Sequence, residues 1–139
     1  MNNTFSPQLN TAVNASLLAG KSVMRFYSRL DSLKITSKGF NDYVSEADQE
    51  SELIITDALK KSYPKYKITA EESGSNDINS DYEWFIDPLD GTTNFIHGIP
   101  QFAISIGLCK NKVPILGVVY DPFKNEPVSY THLTLPTNA

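Results

Sequence analysis

The segment Trp84-Phe85-Ile86-Asp87-Pro88-Leu89-Asp90-Gly91-Thr92-Thr93-Asn94-Phe95-Ile96-His97-Gly98-Ile99-Pro100 constrains this chain of 139 residues more than any other. Trp84, Phe85 and Ile86 read as the end of a buried strand, after which two carboxylates arrive three positions apart around a proline. Pro88 fixes its own φ and has no N–H to donate, so the expected turn is stiff. Asp87 and Asp90 can then project into one small volume. Carboxylates held that close repel each other, and an unpaired buried charge is costly. A hard divalent cation relieves both problems, and oxygen ligands with water are what Mg2+ takes. Gly91, Thr92 and Thr93 follow with small side chains, backbone N–H groups and hydroxyls, which suit a phosphate held beside such an ion. Taken alone, Asp-Pro followed by Asp-Gly is also ordinary turn chemistry.

Composition narrows the partners. A net charge of −4 and a pI of about 5.1 argue against a nucleic-acid binder, whose affinity rests on Lys and Arg. An acidic protein acting on a phosphate ester needs local positive charge, which bound cations would supply. The one cysteine, Cys109, has no partner for an intramolecular disulfide, which fits a reducing cytoplasm. Its place in a strand-like run predicts a buried, inert thiol. The first residues show no basic-then-apolar signal pattern, and no apolar run reaches membrane-spanning length.

Ahead of the central segment, Leu9, Val13, Leu17, Met24 and Tyr27, with Ala12, Ser16 and Gly20, predict a packing helix from about Pro7 to Arg29. Residues 32–44 read as extended chain broken by a Lys-Gly-Phe-Asn loop. Ser45 then caps a second helix reaching about Lys61, with Ala47, Ile54, Ile55, Ala58 and Leu59 as its buried face, and Pro64 prevents continuation. Asp48 suits the third position of that helix as a capping acid. Lys67 to Ala70 is a short strand that delivers Glu71 and Glu72 into a loop, where paired acids are commonly surface charge. Residues 75–83 are polar and turn-rich, and are expected to be mobile. Beyond the central segment, Phe102, Ile104, Ile106 and Leu108 alternate with Ala103, Ser105, Gly107 and Cys109. That predicts a strand with one bulky face and one small face against a close neighbour; Val113 to Tyr120 returns beside it as a hairpin.

The segment Trp84–Pro100 resembles the first signature of the inositol monophosphatase family, Trp-x-Ile-Asp-Pro-(Leu/Ile)-Asp-Gly-Thr-x-Asn-Phe-x-His-x-x-Pro, with every fixed position present. Asp42, Val44, Ser45 and Asp48 match the family's Asp-x-Val-(Thr/Ser)-x-x-Asp, and Glu71-Glu72-Ser73 matches its second signature. The resemblance spans roughly residues 5–126 and implies the N-terminal portion of an α+β, layered αβαβα sandwich of the sugar-phosphatase type. It divides the chain into an N-terminal part of that domain, 1–126, and a tail, 127–139, that does not match. The tail, which carries His132, is expected to have no defined place in the fold.

The activity implied is Mg2+-dependent hydrolysis of phosphate monoesters, inositol 1-phosphate first among them, with two or more ions and Mn2+ as a possible substitute. Glu71, Asp87 and the Leu89 carbonyl would hold one ion, and Asp87 and Asp90 a second. Thr92 and Asp48 would orient the attacking water. Glu71, Leu89, Asp90, Gly91 and Thr92 would contact the substrate phosphate. Lys38 is either a solvated loop lysine or an accessory at the mouth of the site. Asn94-Phe95 with His97 favours the inositol monophosphatase branch over a nucleotide 3′-phosphatase, a histidinol-phosphatase-like enzyme or a fructose bisphosphatase. The family's second half carries a Trp-Asp motif that completes a metal site, and no Trp-Asp pair occurs here. The 139 residues alone are therefore expected to be inactive, and a truncated product acting only through protein association is the remaining alternative. Family members are commonly homodimers. Neither a nucleic-acid nor a membrane partner is expected.

Overall fold

The structure, a computed structural model, describes residues 6–131. Helix α1 (Pro7–Tyr27) starts with proline in its first turn and Ser6 as its cap, the Ser6 hydroxyl accepting the Leu9 N–H at 3.1 Å. It stops two residues short of the expected end, and a 3-10 turn, Leu30–Ser32, follows. Its buried face is centred on Ala12, Ala15, Ser16, Ala19, Gly20 and Val23, while the bulkier Val13, Leu17, Met24 and Tyr27 sit half-buried at the margins. Small residues win the centre because the helix lies close to the sheet: a Cβ on Gly20 would strike the Tyr120 ring.

Strands β1 (Ile35–Gly39) and β2 (Asp42–Ser45) form a separate antiparallel hairpin around the expected loop, with Asn41 in the left-handed region at φ 53°. Helix α2 (Glu46–Ser62) follows directly behind a capping box. Ser45 Oγ accepts N–H groups from the first turn, and Asp48 Oδ1 accepts the Ser45 N–H at 2.8 Å. Ile54 and Ala58, expected in the core, are only half-buried; Ser51 and Glu52 are buried instead, beside Ala47, Asp48, Ile55 and Leu59. Polar side chains take part of the inner face because it looks onto loops with backbone groups to satisfy, not solely onto apolar side chains.

The main sheet has six strands in the order β4-β3-β5-β6-β7-β8: β3 (Lys67–Ala70), β4 (Gly74–Ser75), β5 (Tyr82–Asp90), β6 (Ala103–Lys110), β7 (Val113–Asp121) and β8 (Glu126–Thr131). Only β3 and β5 pair in parallel. Both long helices cover one face, closing a core around Trp84, Ile86, Ile104, Ile106, Leu108 and Val118. A short helix α3 (Thr92–Ile96) lies between β5 and β6.

Four expectations are corrected here. Phe85 is not part of a buried end; it points to the opposite face and is 42% exposed. The small face of β6 has no close neighbour among the described residues: Ser105, Gly107 and Cys109 are half-buried beside exposed Phe85 and Val119. Cys109 is therefore not fully buried, although partial burial and the charge of Glu83 push its thiol above the ordinary value. Part of the tail does have a place, since Glu126–Thr131 adds to the sheet edge antiparallel to β7. Val128, Tyr130 and Thr131 are good strand formers beside an unpaired edge, which outweighs the mismatch of spelling. Residues 132–139, with His132, lie outside the described residues. The polar stretch after β4 is tied down by Asn76, whose side-chain oxygen accepts the Ile68 N–H at 3.2 Å.

Candidate metal and phosphate site

The two aspartates reach one face by a different device from the stiff turn expected. Strand β5 runs through both, and side chains three apart on a regular strand point to opposite faces. Asp87 pairs with Ser105 and Asp90 with Ala103, so three steps on β5 match two on β6. The extra residue is a β-bulge at Pro88–Leu89, and it returns Asp90 to the side that Asp87 occupies. Proline suits this spot because it has no N–H to offer the ladder.

Register brings in the third acid. Parallel pairing sets Ala70 opposite Ile86, and the Glu71 N–H donates to the Ile86 carbonyl at 3.3 Å. Glu71 therefore emerges beside Asp87, close enough for the two carboxyl groups to act on each other. Burial, and then the proximity and charge of Asp87, push Glu71 up to about 7. Asp87 is raised as well, mainly by burial, while its neighbour Glu71 works the other way. Asp87 Oδ1 is buried with no hydrogen-bond partner. Such an oxygen is costly and has the chemistry of a metal ligand.

These groups line a cavity of about 240 Å3 with Leu89, Asp90, Gly91 and Thr92. Asp42, Glu71, Glu72, Asp87 and Asp90 face it, against one cation, Lys38. Lys38 is not free: its ammonium contacts both oxygens of Glu72 at 3.2 Å and Asp42 at 4.0 Å. An anionic ester would find no net attraction here without added cations. The donor set fits hard divalent ions, although among the described residues no three acidic, His or Cys side chains gather tightly enough to enclose one. Glu71 and Asp87 are brought together, and Asp90 lines the same cavity, near enough for its charge to raise Asp87. A larger groove of about 460 Å3, between α2 and the β3–β4 edge, has Glu52 as its only carboxylate.

The Thr92 hydroxyl donates to Asp48 Oδ2 at 2.7 Å, and Asp48 Oδ1 also accepts the Ser45 hydroxyl at 2.6 Å. Thr92 Oγ1 lies 3.1 Å from the Leu89 carbonyl too. The single proton goes to the shorter, charged acceptor, so Leu89 keeps a lone pair for another partner. Asp48 is thus a helix cap and a hydroxyl acceptor at once, the two readings of the sequence being compatible. Gly91 precedes α3 at φ 90°, where a Cβ would come within 2.7 Å of the Gln101 carbonyl oxygen. Asn94 fastens the same loop by donating to that carbonyl at 3.0 Å. His97 Nδ1 bonds the Thr93 carbonyl at 2.7 Å, closing the last turn of α3. Sequence reasoning missed Ser51 and Glu52, which approach this site from α2; only their polarity on an inward helix face marked them.

The raised Glu71 carboxyl predicts a pH effect in the metal-free protein. A carboxyl whose folded value exceeds its unfolded one contributes stability that is complete below about 4.5 and lost as pH rises through about 7. In chelator, the urea midpoint should fall between about pH 5 and pH 8, and Glu71→Gln should flatten that fall. An unchanged slope in Glu71→Gln would refute the assignment.

The fold is that of inositol monophosphatases. The extragenic suppressor protein SuhB from Bartonella henselae matches 92% of this chain and 50% of its own at a TM-score of 0.90 and 40% identity. An IMPase from Thermotoga maritima gives 0.82 and 34% over 92% and 49% of the two chains. The sequence matches the inositol monophosphatase family over residues 5–133, and the chain belongs to that family. The Nus factor SuhB of Haemophilus influenzae is 46% identical over 124 residues, which are 88% of this chain and 46% of that protein. The chain spans about half the length of the curated relatives it matches. No helix among the described residues is long and apolar enough to cross a membrane.

Proposed function

We propose that the protein hydrolyses phosphate monoesters with Mg2+, inositol 1-phosphate being the first candidate substrate. The observation that carries this is the acidic cavity in which Asp87 keeps an orphaned buried oxygen beside Glu71, whose carboxyl is raised by burial and by Asp87. Glu71, Asp87 and the Leu89 carbonyl would hold one ion and Asp87 with Asp90 a second; Mn2+ suits the same oxygens. Such ions supply charge for the phosphoryl oxygens and lower the pKa of water. The chain's own part is placement. Thr92, oriented by its donation to Asp48, would accept a hydrogen bond from the attacking water. As the water's proton moves to the hydroxyl, the hydroxyl's own proton would move to the Asp48 carboxylate. The backbone N–H groups of Gly91 and Thr92 are available to phosphoryl oxygens as charge develops. Glu72 anchors Lys38 at the mouth, so Lys38 acts on the local field and not as a free phosphate ligand.

The test is phosphate release from inositol 1-phosphate, a nucleotide 3′-phosphate, histidinol phosphate and fructose 1,6-bisphosphate. It is run on the 139-residue chain and on one extended to the length of its relatives. We expect negligible turnover from the shorter chain, among whose described residues no three acidic, His or Cys side chains enclose an ion. Chelator-sensitive release, fastest with inositol 1-phosphate, is expected from the longer one. No release with any ester at saturating Mg2+ would sink the proposal.

Association with other macromolecules is a second reading, favoured by the name Nus factor carried by relatives and by the open apolar sheet face at Phe85, Val119 and Val128. Self-association of the longer form as a homodimer belongs to the same reading. Association that survives Asp87→Asn would separate it from the catalytic reading.

A further inference from the structure

Three polar side chains of α2, Asp48, Ser51 and Glu52, share its inner face at i, i+3 and i+4 and are 1%, 0% and 7% exposed. Each reaches a different stretch of the candidate site. Asp48 takes the Thr92 hydroxyl, as described. The Ser51 hydroxyl donates to the Pro88 carbonyl at 2.7 Å, within the bulge between Asp87 and Asp90. Glu52 Oε1 accepts the Glu72 N–H at 3.0 Å, on the peptide that follows Glu71.

The Glu71 loop and the Asp87–Asp90 bulge leave neighbouring parallel strands, and past Ala70 the ladder between them is down to the Glu71–Ile86 bond. Nothing in that ladder sets how far the Glu71 carboxylate stands from the bulge. A helix is the stiffest ruler available: consecutive residues are displaced by a fixed rise of about 1.5 Å. Ser51 and Glu52 are adjacent on it, and each grips one of the two segments. A buried carboxylate that accepts a backbone N–H loses much of its solvation, so its retention on an inward face calls for a role that an apolar residue could not fill.

We infer that Ser51 and Glu52 are positioning residues that set the separation of Glu71 from the Asp87–Leu89 edge, and with it the affinity for the divalent ion. The inference rests on the metal-site reading given above. Partners that orient a ligand typically change metal affinity by about 10–100-fold when removed.

The experiment is Mn2+ titration followed by electron paramagnetic resonance of the free ion, with unfolding in chelator measured in parallel. Wild type, Ser51→Ala, Glu52→Met, Glu52→Gln and Asp87→Asn are compared in the chain extended to the length of its relatives. Ser51→Ala and Glu52→Met are expected to weaken Mn2+ binding about tenfold each. Glu52→Gln keeps an oxygen acceptor for the Glu72 N–H and should restore most of the affinity. A purely structural role would lower the unfolding midpoints but leave Mn2+ binding by the folded protein unchanged, and that result overturns the inference. Should Glu52→Met fail to fold, Ser51→Ala and Glu52→Gln carry the comparison. Asp87→Asn separates the two layers: if it binds Mn2+ like wild type, the metal-site reading itself is wrong. If it loses Mn2+ while the α2 variants keep it, only the positioning role is wrong.

Discussion

Asp87→Asn should strip the protein of its ion and leave its fold intact. The substitution keeps the shape of the side chain and removes a carboxylate that Glu71, Leu89 and Asp90 surround. Losing a direct ligand should exceed the about 10–100-fold loss of affinity seen when only an orienting partner is removed. Turnover in the extended chain should fall by at least about 1,000-fold, equivalent to about 4 kcal/mol of transition-state stabilisation. Stability should move the other way. Burial already holds the Asp87 carboxyl above its ordinary value, and Oδ1 has no partner. A neutral amide relieves that cost, so the unfolding midpoint in chelator should be unchanged or higher. Wild-type turnover in the variant would end the metal-site assignment, and a collapsed fold would show that Asp87 is structural instead.

Gly91→Ala should do the reverse, damaging the fold first. At φ 90° a residue with a Cβ is strained, and this Cβ would also lie 2.7 Å from the Gln101 carbonyl oxygen. A backbone atom cannot swing aside as a long side chain can, so the loop from Gly91 to Gln101 must move. Strain of this kind costs about 1–3 kcal/mol per residue, and the clash adds to it. For a chain of this size that lowers the thermal midpoint by roughly 10 °C. The Asn94–Gln101 tie should loosen with it, seen as faster hydrogen exchange over residues 92–101. An alanine variant with the wild-type midpoint would mean that the loop adapts without strain.

Local chemistry was the part of this molecule that the sequence stated most openly. Pro7, and Ser45 with Asp48, mark two helix starts because such signals need only neighbours in the chain. The acids Glu71, Asp87 and Asp90 were identifiable by spelling, and the Asp48–Thr92 bond by family likeness. How they meet was not legible. The parallel register of β3 on β5 and the bulge at Pro88 are settled by pairing with partners far along the chain. The inner face of α2 was misjudged for the same reason: hydrophobic periodicity favours Ile54 and Ala58, but the helix turns Ser51 and Glu52 toward two loops with unmet hydrogen bonds. Residues 127–131 misled in the opposite direction, since unfamiliar spelling was still able to extend a sheet edge.

The bulge at Pro88–Leu89 carries a consequence for how this molecule can change length over time. Inserting one residue into β6 between Ala103 and Ser105 would match three steps with three and let β5 run as a regular strand, and the acids would then stand back to back across the sheet. Every residue named in the site would still be spelled out, yet no ion could see both aspartates. The turn at Phe40–Asn41, by contrast, joins two strands at the surface and can absorb extra residues cheaply. Evolution is thus free to lengthen the surface turn and barred from lengthening the strand beside the bulge by a single residue.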